Sequence, residues 1–153
     1  MKIYFDACAL NRLTDDPDQL RVRTEAEAVV EIVRLISEGF VQWSASKVLM
    51  TELVQNPDET KLREAMGLLD RAGPLTPLSD TAAERARTLA SLGYGLFDAL
   101  HLACAEEATV DALLTTDDRF IRKAARGLGN PAIRVLNPLD WLQEAQRWLQ
   151  PKK

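Results

Sequence analysis

The sequence predicts an α/β fold, a parallel sheet between two layers of helices, on three observations. Short aromatic or β-branched runs alternate from end to end with stretches of helical periodicity. A helix-length crossover separates each such run from the next, which demands parallel pairing and right-handed connections and so a three-layer α/β/α sandwich. The length of 153 residues with 46% hydrophobic content suffices for one core and falls short of two, so residues 1–150 are expected to form a single domain.

The elements follow in order. Ile3, Tyr4 and Phe5 read as a buried strand that stops at Asp6, and Ala7 to Leu13 can form a short helix. Thr14 to Asp18 (TDDPD) is turn chemistry. From Arg21 to Glu38, Val22, Ala26, Val29, Val30, Val33 and Ile36 recur at three- and four-residue steps, an amphipathic helix that Gly39 ends. Phe40 to Trp43 reads as a second strand, and Ser44 or Ser46 can cap a helix to about Gln55 with Glu52 in its second turn.

Asn56-Pro57-Asp58 breaks that helix, and Glu59 to Arg71 carries Leu62, Met66, Leu68 and Leu69 on the face of the next. Leu75 to Leu78 is a short third strand, placed at an edge because Pro77 cannot donate to a central ladder. Ser79 or Asp80 caps a helix with Ala83, Ala86, Leu89 and Ala90 inward, and Leu92 to Gly95 is a turn. Phe97 to Glu107 is a strongly apolar helix with Asp98 in its first turn, and Val110 to Thr116 is a fourth strand ending at Asp117-Asp118. A helix to about Arg126, a glycine-rich loop, a fifth strand at Ala132 to Leu136 and a helix from Pro138 to about Leu149, anchored by Trp141, Leu142 and Trp148, complete the chain.

Composition excludes several classes. No run of about 18 apolar residues exists and the N-terminus enters a strand directly, so the expectation is a soluble, cytoplasmic protein with no membrane partner. Cys8 and Cys104 are read as free thiols in apolar surroundings, and with one histidine they cannot build a zinc site. The net charge of -4 argues against coating nucleic acid by charge alone. Charge is uneven, however: between Arg119 and Arg134 the charged residues are Arg119, Arg122, Lys123, Arg126 and Arg134, all basic, which makes this stretch either a phosphate contact or a solvated helix face.

In such a sheet, helix N-termini and strand C-termini share one edge, which is where ligands bind. Asp6, Glu52, Asp98 and Asp117 all fall there by position. Singly, Asp6 and Asp117 read equally well as helix caps, Asp98 as a complement to a helix dipole and Glu52 as an exposed helix residue. Together they point elsewhere, because Asp98 sits between Phe97 and Ala99-Leu100, and an unpaired carboxylate in so apolar a segment is costly. Carboxylates without histidine or thiolate suit hard divalent cations such as magnesium, whose natural chemistry here is phosphodiester hydrolysis.

Four segments carry a resemblance: Tyr4-Phe5-Asp6-Ala7-Cys8, Ser46 to Glu52, Phe97-Asp98-Ala99-Leu100-His101-Leu102-Ala103 and Leu114-Thr115-Thr116-Asp117-Asp118-Arg119-Phe120. In order and spacing they resemble the four acidic motifs of the PIN-domain nucleases, over nearly the whole chain. The resemblance implies a five-stranded parallel sheet of order 3-2-1-4-5 with the acidic site at its C-terminal edge. Small stand-alone members are mostly VapC-type toxins, Mg2+- or Mn2+-dependent endoribonucleases acting on single-stranded or structured RNA, inhibited by an antitoxin and commonly homodimeric.

Carried over, Asp6, Glu52, Asp98 and Asp117 become the catalytic set, and Asp6, Asp98, Asp117 and Asp118 the metal-binding one. Asp117 and Asp118 compete for the fourth place, Asp117 being favoured by the Thr115-x-Asp117 spacing. Thr115 is assigned a supporting hydrogen bond. Cys8 departs from the asparagine or serine common two residues after the first aspartate, and Asn11 is the substitute. Arg119, Arg122 and Lys123 are the expected RNA contacts. His101 is read as structural or surface-exposed, since a lone histidine makes no Ser-His-Asp set. The helices between Arg21 and Arg71 and a Trp141/Trp148 face are the expected dimer and antitoxin surfaces.

Three other readings differ in kind: an RNA-processing PIN nuclease without an antitoxin, a noncatalytic RNA-binding member, and a receiver-like phospho-accepting switch. The last wants paired acids after the first strand and a lysine ending the fifth, and this chain has neither.

Overall fold

The computed structural model describes residues 1–149; the expected domain boundary at residue 150 lies outside the described residues. Its elements are β1 (Lys2–Phe5), α1 (Ala7–Asn11), α2 (Leu20–Ser37), β2 (Gln42–Trp43), α3 (Lys47–Leu53), α4 (Glu59–Leu69), α5 (Asp80–Ser91), α6 (Leu96–Glu107), β3 (Ala112–Leu114), α7 (Asp118–Ala125), β4 (Arg134–Leu136) and α8 (Pro138–Leu149). The strands pair in the order β2-β1-β3-β4, all parallel, with Ile3 beside Trp43 on one side and Ala112 on the other.

The two-residue period of the strands builds two cores. Ile3, Phe5, Ala112 and Leu114 point into a core closed by α1, α2, α3, α4 and α8. Tyr4, Leu113 and Val135 point into a second core, closed by α5, α6 and α7. Phe5 meets Trp43 edge-on at 5.4 Å between ring centroids. None of the described helices is long and apolar enough to cross a membrane.

Four of the expected five strands form among the described residues. At Leu75 to Leu78 only Thr76 pairs, giving its N–H to Ala45 at 3.1 Å and accepting from Lys47 at 2.9 Å. Pro74 and Pro77 on either side have no N–H to extend the ladder, so the edge strand shrinks to one bridge in its expected place. The other strands are shorter than their apolar runs, although flanking residues still bond to the sheet, Thr115 N–H to the Leu136 carbonyl at 2.9 Å and Asp111 N–H to the Lys2 carbonyl at 2.8 Å.

Side-chain placement corrects further expectations. The buried stripe of α5 is Ala82, Ala86 and Leu89, with Ala83 and Ala90 only partly covered. On α2, Val30 is exposed while Glu25 is buried, because the face toward the sheet is set by Val22, Ala28, Val29, Ile32 and Val33. Trp148 is 79% exposed, one turn beyond the buried Trp141, Leu142 and Ala145. Cys8 is exposed and not apolar-packed, since its neighbours Ala7 and Ala9 take the inward positions of α1; Cys104 is half-buried, and both are free.

Candidate active site

Asp6 extends β1 by one hydrogen bond, its N–H donating to Leu114 at 3.2 Å, and then starts α1, its carboxylate accepting from the Ala9 N–H at 3.0 Å. It is 1% exposed. Burial pushes its pKa up to about 7; His101, the Thr115 hydroxyl and the Ala9 N–H pull it down, and Asp98 adds to the rise.

Asp98 stands in the first turn of α6, which begins at Gly95 without a side-chain cap. Burial holds its pKa up at about 6, with Asp117 and Glu52 adding to the rise and His101 and Lys123 opposing it. The cation that opposes this rise is Lys123 on α7. Lys123 is itself anchored to the Gly93 carbonyl at 2.8 Å.

Asp117 caps α7, accepting from the N–H groups of Arg119 at 2.9 Å and Phe120 at 3.3 Å. Its own N–H donates to Thr115 Oγ1 at 3.1 Å, so the buried Thr115 hydroxyl serves both Asp117 and Asp6. Glu52, half-buried on α3, pairs through Oε1 with His101 Nε2 at 2.8 Å. Cys8, exposed beside the acids, joins the group electrostatically: desolvation of its thiolate by the surrounding protein raises its pKa, and Asp6, Glu52, Asp117 and Asp98 all raise it further.

Asp118 turns away from this group to Arg21, whose two terminal nitrogens reach it at 2.8 and 2.9 Å and hold its carboxyl below the usual range. Arg119 and Arg122 are exposed on α7 and Lys123 is partly covered. Asn11 closes α1, and its carbonyl accepts from Thr14 and Asp15. Among the described residues its side chain makes no hydrogen bond to the four acids.

Sequence reasoning missed two features. His101 is fully buried between Tyr4 and Glu52, where an apolar helix suggested only a filler or surface residue. Glu25, 3% exposed, accepts from Arg12 Nε at 3.0 Å and Arg21 Nε at 3.2 Å, and is bonded also by Asn137 Nδ2. A carboxylate on the inward face of a helix was the available signal.

The family model of the PIN domain matches residues 3–126. The chain belongs to the PIN domain family. The match runs from β1 past the end of α7, so Asp6, Glu52, Asp98 and Asp117 all lie within it. PIN domains are generally nucleases that use divalent metals and act on nucleic acids. No curated protein matches the chain.

The donor set fits such a metal by chemistry. The donors are oxygens only, and Asp6 and Asp98 are raised by burial and by neighbouring carboxylates, Asp98 for Asp6 and Asp117 and Glu52 for Asp98, a repulsion that a cation relieves. Among the described residues no three histidine, cysteine or acidic side chains are gathered closely enough to cage an ion alone.

Proposed function

We propose that this PIN domain is a metal-dependent endoribonuclease that hydrolyses phosphodiester bonds of RNA, acting as the toxin of a toxin–antitoxin pair. The observation that carries the hydrolytic reading is the crowding of Asp6, Asp98, Asp117 and Glu52 at the C-terminal edge of β1 and β3, with Asp6 raised to about 7 and Asp98 to about 6. Sites that hold carboxylates at such pKa values against their own repulsion are built for charge compensation or proton transfer.

One or two of Asp6, Asp98 and Asp117 would hold Mg2+ or Mn2+ beside water and substrate phosphate, with Asp118 favoured less because Arg21 already engages it. Bound there, the ion supplies a water of lowered pKa and offsets phosphate charge. Glu52, fixed by His101, orients the attacking water and accepts its proton. Thr115 steadies Asp6 and Asp117. Arg119, Arg122 and Lys123 on α7 bind phosphates flanking the scissile bond.

The toxin assignment rests on the likeness of this short chain to VapC-type proteins. A surface that suits an antitoxin lies between α2 and α4, a groove of about 440 Å³ lined by Leu13, Val30, Val33 and Leu68 with Arg34 and Arg71 at its rim. Trp148 is available for a dimer contact, whereas Trp141 is buried in the core and is not.

The test is cleavage of mixed-sequence single-stranded RNA by purified protein with magnesium, manganese or EDTA, beside Asp98→Asn. Metal-dependent cutting that the variant loses supports the reading. No cutting by either protein, with no metal-induced stabilisation of the wild type, would leave a noncatalytic RNA-binding protein.

A further inference from the structure

Behind the acids runs a buried chain of hydrogen bonds of which the hydrolytic reading uses only the last, between His101 and Glu52. Tyr4 and Ser46 are each 1% exposed and His101 is 0%. Ser46 Oγ accepts from the Leu49 N–H at 3.2 Å and lies 2.6 Å from the Tyr4 hydroxyl. That hydroxyl lies 2.6 Å from His101 Nδ1, and His101 Nε2 lies 2.8 Å from Glu52 Oε1.

We propose that Tyr4 and His101 are positioning residues for Glu52, with Ser46 donating to Tyr4, Tyr4 to His101 Nδ1, and His101 Nε2–H to Glu52. The role in catalysis rests on the nuclease reading above; the order of the hydrogen bonds does not.

Donor and acceptor bookkeeping sets that order. Ser46 spends one lone pair capping α3 through Leu49, so its own proton needs an acceptor, and the Tyr4 oxygen is the one at 2.6 Å. The Tyr4 phenol, protonated at neutral pH and already accepting from Ser46, donates its own proton to Nδ1 at 2.6 Å. The imidazole proton then sits on Nε2, facing the Glu52 carboxylate. In the reverse order Ser46 would accept twice, and its proton would be left to the neighbouring Cys104 sulfur, a weak acceptor.

The placement of these residues makes the chain more than filling. Tyr4 is two residues before Asp6 on β1, His101 is three after Asp98 on α6, and Ser46 caps the helix that carries Glu52. The chain therefore ties together the three elements that bear three of the four acids. Phe97 stacks on the imidazole at 6.2 Å with an interplanar angle of 30°, fixing the ring plane. Groups that orient a site residue by a hydrogen bond from behind typically matter about 10- to 100-fold in activity or metal affinity.

The chain has one histidine, so in untagged protein the imidazole nitrogen resonances belong to His101. Long-range 1H–15N spectra of the wild type at neutral pH are expected to show a protonated Nε2 and an unprotonated Nδ1, and Tyr4→Phe is expected to shift Nδ1. A proton on Nδ1, or none on Nε2, overturns the proposed order.

The second arm compares His101→Gln, which keeps an N–H near the place of Nε2, with His101→Asn, which keeps one near Nδ1. RNA cleavage by the Gln variant is expected within about threefold of wild type. The Asn variant and Tyr4→Phe are expected to lose about tenfold or more in kcat with KM unchanged. Equal loss in Gln and Asn variants, or loss confined to KM, overturns the positioning role. If the Asn variant does not fold, the Gln and Phe variants decide: wild-type kcat in Tyr4→Phe overturns the role. Absence of cleavage by the wild type would defeat the nuclease reading and the catalytic role together, and the spectra would still decide the hydrogen-bond order.

Discussion

Arg21 grips the residues on both sides of Asp117. Its guanidinium donates to the Thr116 carbonyl at 3.0 Å and to the two Asp118 oxygens at 2.8 and 2.9 Å, so an arginine of α2 sets the turn that presents an acid of the β3–α7 junction. Arg21→Ala is expected to cost about 1–2 kcal/mol in stability: its pair with Asp118 is about half exposed on both sides, and buried Glu25 loses one partner but keeps Arg12 and Asn137. RNA cleavage should fall about tenfold, since Asp117 loses its fixed backbone. Denaturation and cleavage assays on one preparation check this; a variant with wild-type cleavage would show that the turn holds itself.

The pH dependence of stability should run opposite to that of an ordinary acidic surface. Asp6 is raised to about 7 and Asp98 to about 6 from 3.8. Between about pH 4 and 7 the native state therefore holds protons that the unfolded chain has released, and stability falls as pH rises through this window, then levels. Metal-free protein should be less stable at pH 8 than at pH 5 by on the order of a few kcal/mol from these two groups. Urea titrations across that range are the measurement, and a rise in stability from pH 5 to 8 would refute the prediction.

Asp6→Asn should stabilise the metal-free protein at pH 8 while abolishing cleavage. Asparagine is as good a helix cap as aspartate and can still accept from the Ala9 N–H, but it carries no buried charge. A gain of about 1–3 kcal/mol is expected, together with a flatter pH profile than the wild type. An equal or lower stability at pH 8 would mean that the Asp6 charge is not a cost to the fold.

Glu25→Ala is expected to destabilise by about 2 kcal/mol, less than the 3–5 kcal/mol of a fully buried broken pair. Arg12 retains Asp15 and Arg21 retains Asp118, whereas Asn137, which also caps α8 by accepting from Leu139, loses its link to α2. Thermal unfolding tests this, and an unchanged midpoint would show the cluster to be dispensable.

Gly129→Ala should cost roughly 2 kcal/mol. The backbone there has φ +74°, and a Cβ would lie 2.7 Å from Leu89 Cδ2 and 3.2 Å from Leu92 Cδ1. Gly127→Ala, at φ +78° with nothing within 4 Å, serves as the control, and the difference between the two isolates the clash.

The elements legible in the sequence are those whose causes lie close along the chain. Asp6, Ser46, Ser79 and Asp117 each accept from an N–H two or three residues ahead, so the caps of α1, α3, α5 and α7 could be read in place. On α5, Ala86 and Leu89 face inward as expected, and Ala82 takes the place expected of Ala83, since a run of alanines gives little contrast between faces. At Leu75 to Leu78 the edge position was legible from Pro77, while the reduction to one bridge at Thr76 follows from Pro74 and Pro77 together.

By itself the sequence determined the alternation that makes a parallel sheet, an acid directly after β1 and another at the start of the helix after β3, and hence the edge on which those acids meet. Tertiary structure alone decided their partners. His101 meets Glu52 across 49 residues, Arg21 meets Asp118 across 97 and Asn137 meets Glu25 across 112. Strand and helix periods act over a few residues and leave an imprint in composition. A contact between distant side chains depends on the register and tilt with which whole elements pack, and residue types leave no such imprint.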